Sequence, residues 1–414
     1  MIQEINVAEA KAIAVANNNA VPNKADKILY LEGIRGLAAF MVMIYHYSRG
    51  FYPTVVTGDP DTSHLGEFGL FYYANPINVI TNGNYFVTIF FVLSGYVLSK
   101  NYFQTKNIDS IVSASFRRFP RLIIPAVFSL IISFLLVRFS LVYNIEASEI
   151  TLSDWLATLW KANGSFGSLI HDFRSAIFFE KSAYNISLWT ISVELFGSFL
   201  VFAILALTHK TRNLHLILIL LFGVCYFTYE YYYCAFILGI LLNYTDQYTF
   251  KNTTLRHFVI GLLLLGGLFL GAFPSHGTVE GTFFEFADHH ILVSRNSFIH
   301  VIGAFFSVLA VLFSRRLQQF FSLKLFHFLG YISFSLYLIH ALVLGSFTCY
   351  LFLQFKQMYS YNVAFLLSFI PSLALMIALS YFMTVYVDKG SVKIAKNIYN
   401  KWFAPESSYS KLNR

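Results

Sequence analysis

Apolar runs are the feature that most constrains how this chain can fold. About ten of them are separated by polar segments, at residues 28–48, 79–99, 119–143, 186–208, 212–226, 229–244, 256–273, 297–314, 328–353 and 362–387. An apolar helix of about 20 residues spans the hydrocarbon core of a bilayer. Only 12% of the residues are charged, which is about half the fraction of a soluble domain. The sequence therefore predicts an all-α integral membrane protein, a bundle of about ten transmembrane helices.

The Lys and Arg residues are divided unequally between the segments that join these runs. Of the 29, 21 lie in segments at one end of the predicted bundle and six at the other, while Arg35 and Arg138 lie within runs. Because positive residues mark the cytoplasmic side, both termini are predicted to be cytoplasmic. This topology explains the formal charge of +8, so no nucleic-acid partner is expected. The expected divisions are a polar N-terminal tail, the transmembrane domain and a basic cytoplasmic C-terminal tail, at residues 1–27, 28–390 and 391–414.

The first run carries ionisable residues along one face. Residues 35–46 are R-G-L-A-A-F-M-V-M-I-Y-H, and Glu32 lies just upstream. At about 100° and 1.5 Å per helical residue, Arg35 and His46 project within roughly 20° of each other, about 16 Å apart along the axis. Such residues usually face the bundle interior, because exposing a charge to lipid costs at least ~2.5 kcal/mol. They indicate either a functional site or an arginine that reaches the head groups together with a hydrogen-bonded core histidine.

Three further stretches place polar residues in apolar surroundings. They are F-F-V-L-S-G-Y with Ser94, S-L-W-T-I-S-V-E-L-F with Glu194, and G-Y-I-S-F-S-L-Y-L-I-H with Ser333, Tyr337 and His340. A carboxylate within a span is a candidate functional group, although Glu194 could instead pair with Arg35 or Arg138. Ser94 and its glycine neighbour could equally serve close helix packing. The late stretch forms one polar stripe, since its spacings of four and three match a helical turn.

A basic stretch, R-R-F-P-R-L-I-I-P at residues 117–125, leads into the third run. Arg118 and Arg121 are three residues apart and share a helical face. Guanidinium groups beside a helix N-terminus suit phosphates, so Arg117, Arg118 and Arg121 are candidate phosphate ligands. The alternative is a positive cytoplasmic segment without a ligand.

The three cysteines have no metal-ligand spacing, and no metal site is expected.

The long connecting segments are rich in aromatic residues and carboxylates. They cover residues 49–78, 144–185 and 274–296, and they include Trp155 and Trp160. Aromatic rings and carboxylates suit sugar binding by stacking and hydrogen bonding. They are equally typical of the aromatic belt at a membrane interface, so this pattern leaves both interpretations open.

The order of these stretches resembles that of the membrane acyltransferase-3 superfamily. Y-L-E-G-I-R-G-L-A-A…Y-H resembles the family's opening signature of a basic residue and a histidine, and R-F-P-R resembles its R-x-x-R motif. F-F-V-L-S-G-Y, L-W-T-I-S-V-E and G-Y-I-S-F-S-L-Y-L-I-H resemble its second-helix, glutamate and late-helix motifs. V-D-K-G-S-V-K-I-A resembles its closing segment, with Asp388 as the acid and Gly390 in place of the usual proline. The resemblance extends over roughly residues 28–395.

The resemblance implies an enzyme that transfers an acyl group, commonly acetyl, from cytoplasmic acyl-CoA to a hydroxyl on the far side of the membrane. Acyl-CoA would be the donor substrate, with no permanently bound cofactor. The acceptor would be a glycan, a lipid-linked glycan or another cell-envelope molecule. The compact chain and its lack of a signal peptide favour the bacterial inner membrane over a eukaryotic endomembrane. The loops are too short for the fused SGNH-type esterase domain of some members.

The resemblance also implies roles for individual residues. His46 is expected to be the general base or a transient acyl carrier, and Arg35 to bind a donor phosphate or stabilise developing negative charge. Glu194 is the third expected catalytic residue, and Arg117, Arg118 and Arg121 would hold the CoA phosphates. Further candidates, for orienting these groups or lining the acceptor path, are Glu32, Ser94, Trp189, Ser333, Tyr337 and His340. The alternative function is a proton-coupled secondary transporter, which also uses intramembrane ionisable residues.

Overall fold

The computed structural model describes residues 26–211, 213–248, 250–287 and 296–403, and these ranges contain helices and turns but no strand. A helix lies at each predicted apolar run. These helices are α1 Asp26–Phe51, α2 Gly83–Thr105, α3 Ile108–Arg138, α4 Trp189–Leu207, α5 Leu214–Phe227, α6 Tyr231–Leu241, α7 Thr253–Gly271, α8 Asn296–Phe313, α9 Lys324–Val343 and α10 Tyr361–Met383. Shorter helices are Thr54–Thr57, Glu67–Ala74, Asn144–Thr151, Asp154–Ala157, Phe166–Phe178 and Arg315–Phe321. Short 3-10 segments are Pro60–Thr62, Pro76–Thr81, Ile186–Leu188, Leu242–Gln247 and Glu285–Ala287.

The last two long helices continue through π-helical turns. The turn Leu344–Thr348 joins α9 to Cys349–Lys356, and the turn Thr384–Asp388 joins α10 to Lys389–Phe403. The helix therefore runs on past residue 390, where the sequence predicted the transmembrane domain to end. The predicted N-terminal tail up to residue 25, and residues 404–414 of the C-terminal tail, lie outside the described residues.

Seven helical segments in the described part of the chain are long and apolar enough to cross a membrane. They comprise α2, α3, α4, α7, α8 and the extended forms of α9 and α10. The other three are α1, which carries the ionisable stretch, and α5 and α6, which have only 14 and 11 residues. The predicted all-helical membrane fold is confirmed, whereas the count of about ten crossings and the side of the two termini stay predictions.

The third span begins earlier than its apolar run predicted. Asn107 caps α3 by accepting a hydrogen bond from the backbone N–H of Asp109, so the helix starts at Ile108 and includes the basic stretch. Arg118 then lies ten residues into the helix, about 15 Å from its first turn. The expectation that this helix N-terminus assists phosphate binding was therefore wrong, because its free N–H groups lie too far from the arginine side chains.

Helix α1 occupies the centre of the bundle. One of its faces, with Ala38 and Val42, is buried in an apolar cluster with residues of α2, α6 and α8. The face with Ala39 and Met43 is buried in a second cluster with residues of α3, α9 and α10. A helix surrounded in this way gives its ionisable side chains protein neighbours rather than lipid, which lowers the cost of keeping them in the membrane.

Glycines bring α1 and α9 into backbone contact. A Cβ atom added at Gly36 would lie 2.3 Å from the Gly330 nitrogen, and one added at Gly330 would lie 2.3 Å from the Glu32 carbonyl oxygen. Small residues allow membrane helices to approach this closely. His46 follows Gly36 by ten residues, and His340 follows Gly330 by the same interval. Since the two helices run parallel, the glycine contact sets the register that brings the two histidines together.

The longest connections meet at one end of the bundle, which we call the loop end. It is formed by residues 52–82, 139–188 and 272–287. Tyr73 Oη donates a hydrogen bond to the carbonyl of Thr278 (2.7 Å), and Ser153 Oγ donates to the carbonyl of Arg49 at the end of α1 (2.8 Å). The chain therefore places His46 near the loop end and Arg35 toward the opposite end.

Candidate active site

A cavity of about 290 Å³ lies among α1, α2, α3, α4, α9 and the π-helical turn that follows α10. Eight of the residues predicted from sequence line it: Glu32, Arg35, Ser94, Arg118, Arg121, Glu194, Ser333 and Tyr337. They come from five helices that are distant in sequence, and their polar side chains therefore converge through the packing of the bundle. The lining also includes Thr190, Asp388 and Lys389.

One cation of the cavity is already paired. Arg118 forms an ion pair with Glu194, and its Nε donates a hydrogen bond to Ser198 Oγ (2.8 Å). Ser94 Oγ donates to the same carboxylate oxygen, Oε1 of Glu194 (2.6 Å). The partner of Glu194 is therefore neither Arg35 nor Arg138, the two suggested by sequence. A phosphate at Arg118 would share the guanidinium with this carboxylate.

Four cations and three carboxylates line the cavity, so the cations exceed the acids by one. Arg35, Arg121 and Lys389 line it together with the paired Arg118. Its acids are Asp388, Glu194, which pairs with Arg118, and Glu32, whose Oε2 lies 3.4 Å from His327 Nε2 at a half-exposed position. The cavity therefore offers several guanidinium and ammonium donors to an anionic ligand, which suits phosphate groups.

Four predicted residues do not line the cavity, and two of them, Arg117 and Trp189, lie apart from the site. Arg117 is exposed, and its Nε donates to the carbonyl of Ser113 (3.0 Å). Trp189 begins α4 and packs its ring against Tyr232, with centroids 5.4 Å apart. Trp189 is thus placed in an apolar cluster. Within the described residues no three His, Cys, Asp or Glu side chains are grouped as metal ligands would be.

The two predicted histidines form a buried pair beyond the cavity. His46 Nδ1 lies 2.8 Å from His340 Nε2, and His340 Nδ1 lies 3.0 Å from the carbonyl oxygen of Leu336. A carbonyl only accepts, so Nδ1 of His340 carries a hydrogen and Nε2 of the neutral ring is an acceptor. His46 Nδ1 then donates to it. This arrangement leaves Nε2 of neutral His46 with a lone pair, as a general base requires.

The cavity ends close to this histidine pair. Tyr337 lines it and precedes His340 by about one helical turn, and the two rings lie 5.8 Å apart between centroids. Thr190 Oγ1 donates to Tyr337 Oη (2.9 Å), which fixes the phenol at the cavity wall. A ligand filling the cavity would therefore extend from the cations at the Arg35 end toward His46.

Comparison with known families indicates the class of reaction. The model of a family described as an acyltransferase domain matches residues 28–385, most of the chain. The chain belongs to the acyltransferase-3 family. Membership confirms the resemblance seen in the sequence and implies acyltransferase activity in an integral membrane protein. Searches of curated proteins and of solved structures returned no match.

Sequence reasoning missed two sets of residues in this acyltransferase. Asp388 and Lys389 belong to the closing motif of the sequence, but the sequence did not assign them to the site. They line the cavity because the π-helical turn after α10 ends at Asp388. On the loop side of His46, Trp155 stacks on the imidazole, with ring centroids 5.3 Å apart and planes at 10°. The guanidinium of Arg49 lies 5.2 Å from the same indole ring. Helical spacing from His46 could have found Arg49, but no local pattern indicates Trp155.

Proposed function

We propose that this protein is an O-acyltransferase of the bacterial inner membrane, with acyl-CoA as donor and acetyl as the expected acyl group. Its acceptor is a hydroxyl of a glycan, a lipid-linked glycan or another cell-envelope molecule. The observation that carries the proposal is the position of His46, between a cation-lined cavity on one side and the loop end on the other. Family membership favours acyl transfer over the alternative of a proton-coupled transporter.

The donor binds from the cytoplasm in this proposal. If the chain crosses ten times, both termini lie on the same side of the membrane, and the Lys and Arg distribution of the sequence makes that side the cytoplasm. The Arg35 end of the cavity then faces the cytoplasm, where Arg35, Arg121 and Lys389 hold the phosphates of CoA. The pantetheine arm follows the cavity past Tyr337 and presents the thioester near His46.

The acceptor reacts on the other side of the imidazole. His46 Nε2 takes the hydroxyl proton as the acceptor oxygen attacks the thioester carbonyl, and the hydrogen bond from Nδ1 to His340 stabilises the imidazolium that forms. The C–S bond of the tetrahedral intermediate then breaks. His46 returns the proton to the departing thiolate, so that the products are the O-acyl ester and free CoA.

Label transfer tests this function. Membranes with and without the protein are incubated with acetyl-CoA labelled in the acetyl group and an extract of cell-envelope glycans, and label is measured in alkali-labile ester. Label that depends on the protein supports the proposal. If neither acetyl-CoA nor other short acyl-CoAs give labelled ester, O-acyl transfer to a glycan is the wrong function.

A further inference from the structure

One cation lies on the loop side of His46 and has no carboxylate partner among the described residues. Arg49 Nη1 donates a hydrogen bond to Tyr45 Oη (2.8 Å), while its Nε is buried without any partner. The guanidinium carries five N–H donors in a rigid fork, and the protein uses only part of this capacity. Most of the donors of Arg49 are therefore left for another group.

The indole of Trp155 connects this cation to the candidate base. Its ring stacks on His46 and also lies 5.2 Å from the guanidinium carbon of Arg49. Arg49 follows His46 by three residues in α1, so it lies about 4.5 Å further toward the loop end. The cation-lined cavity begins at Arg35, in the opposite direction. A molecule that meets Arg49 therefore approaches His46 from the acceptor side.

The polar neighbours of Arg49 do not neutralise its charge. Tyr45 Oη accepts from Arg49 and is hydrogen-bonded to Nε2 of His276 at 3.0 Å. Burial, with a smaller effect of the Arg49 charge, lowers the pKa of His276 to about 4. This loop histidine is therefore neutral at pH 7, and the cluster has a net positive charge from the guanidinium.

We propose that the acceptor carries an anionic group, a carboxylate or a phosphate, and that Arg49 binds this group beside the hydroxyl that is acylated. The inference rests on the proposed function, since it names the chemical class of the acceptor. A carboxylate or phosphate matches the guanidinium fork with two parallel hydrogen bonds. A neutral sugar would leave the charge unpaired in a half-buried position, which is costly.

Arg49 has a simpler role if it only holds Trp155 in place by a cation–π contact. Loss of that contact would lower kcat for every acceptor alike, because it would loosen the ring that packs on His46. Loss of an anion ligand would instead raise KM for anionic acceptors and leave the donor KM unchanged. The two roles are therefore separable by kinetics.

The test uses the glycan extract, separated by anion exchange into neutral and acidic fractions, with labelled acetyl-CoA as donor. We expect the wild-type protein to label the acidic fraction, and Arg49→Gln to raise KM for that fraction about tenfold or more. Arg49→Lys, which keeps the charge but not the fork, should be intermediate. Arg174→Gln is the matched control, because Arg174 is an exposed cation in the loop-end helix Phe166–Phe178 and should behave as wild type.

The results separate this inference from the proposed function. Equal labelling of neutral and acidic fractions, with no change in Arg49→Gln, would overturn the inference and leave O-acyl transfer intact. Labelling of neither fraction would overturn both. Reducing the carboxylates of the acidic fraction, or removing lipid phosphate by mild acid, identifies the source of the charge. If the acidic fraction is still acylated equally well after both treatments, that result would also contradict the inference.

Discussion

His46 and His340 are hydrogen-bonded through Nδ1 and Nε2, 2.8 Å apart, although they lie on two helices from opposite ends of the chain. The carbonyl of Leu336 fixes the tautomer of His340, and through it the tautomer of His46. His46 therefore does not have to exchange protons between its two nitrogens before it can act as a base. The pair gives the buried histidine of α1 a hydrogen-bond partner within the membrane bundle.

The first prediction concerns His340 as the residue that positions His46. His340→Leu removes the acceptor for His46 Nδ1 and should lower kcat at least about tenfold, with the donor KM unchanged. In His340→Gln the side-chain amide oxygen can occupy roughly the position of Nε2 and accept the hydrogen bond from His46. This variant should therefore be more active than His340→Leu. The measurement is the kcat and KM of both variants. Equal activity of the Leu and Gln variants would show that the hydrogen bond has no role.

The second prediction compares two neighbouring arginines. Arg121 lines the cavity, whereas Arg117, one turn earlier in α3, is exposed outside it. Arg121→Gln should raise KM for acyl-CoA about tenfold, the usual effect of losing a charged hydrogen bond to phosphate. Arg117→Gln should leave it near the wild-type value. If both substitutions raise the donor KM equally, the cavity is not the site of the CoA phosphates.

Helical periodicity explains what the sequence could predict. The fixed rotation per residue places Glu32 and Arg35 on one stripe, and both line the cavity. The partner of Glu194 was not predictable, because the sequence offered Arg35 and Arg138 as candidates and only the packing of the helices brings Arg118 to Glu194. The stacking of Trp155 on His46 depends on the path of a loop, for which the sequence has no periodic signal.

The third prediction tests the ion pair between Arg118 and Glu194, whose side chains are 11% and 15% exposed. Either single change to Gln leaves a nearly buried charge without its partner and should lower stability by roughly 2 kcal/mol, less than for a fully buried pair. The double variant should lie closer to wild type than the sum of the singles. Thermal unfolding of the purified protein in detergent measures this coupling. Additive effects would mean that the two groups do not stabilise each other.

The fourth prediction concerns the glycine contact that sets the register of α1 and α9. Gly36→Ala places a methyl group against the backbone of Gly330, which cannot move aside as a flexible side chain would. Overpacking of this kind costs about 1–3 kcal/mol and should separate the histidines, with lower stability and lower activity. Gly261→Ala is the control, since nothing lies within 4 Å of a Cβ atom there. If Gly36→Ala is as stable and as active as Gly261→Ala, that result would contradict the packing argument.

The most direct test of the central claim is the rate of acyl transfer by His46→Gln at matched protein amounts, with binding of acyl-CoA measured in the same membranes. Loss of the general base should reduce label transfer at least about a hundredfold while acyl-CoA binding is unchanged. Such a result would establish that His46 acts in the chemical step. Transfer near the wild-type rate in His46→Gln would show that His46 is not the base.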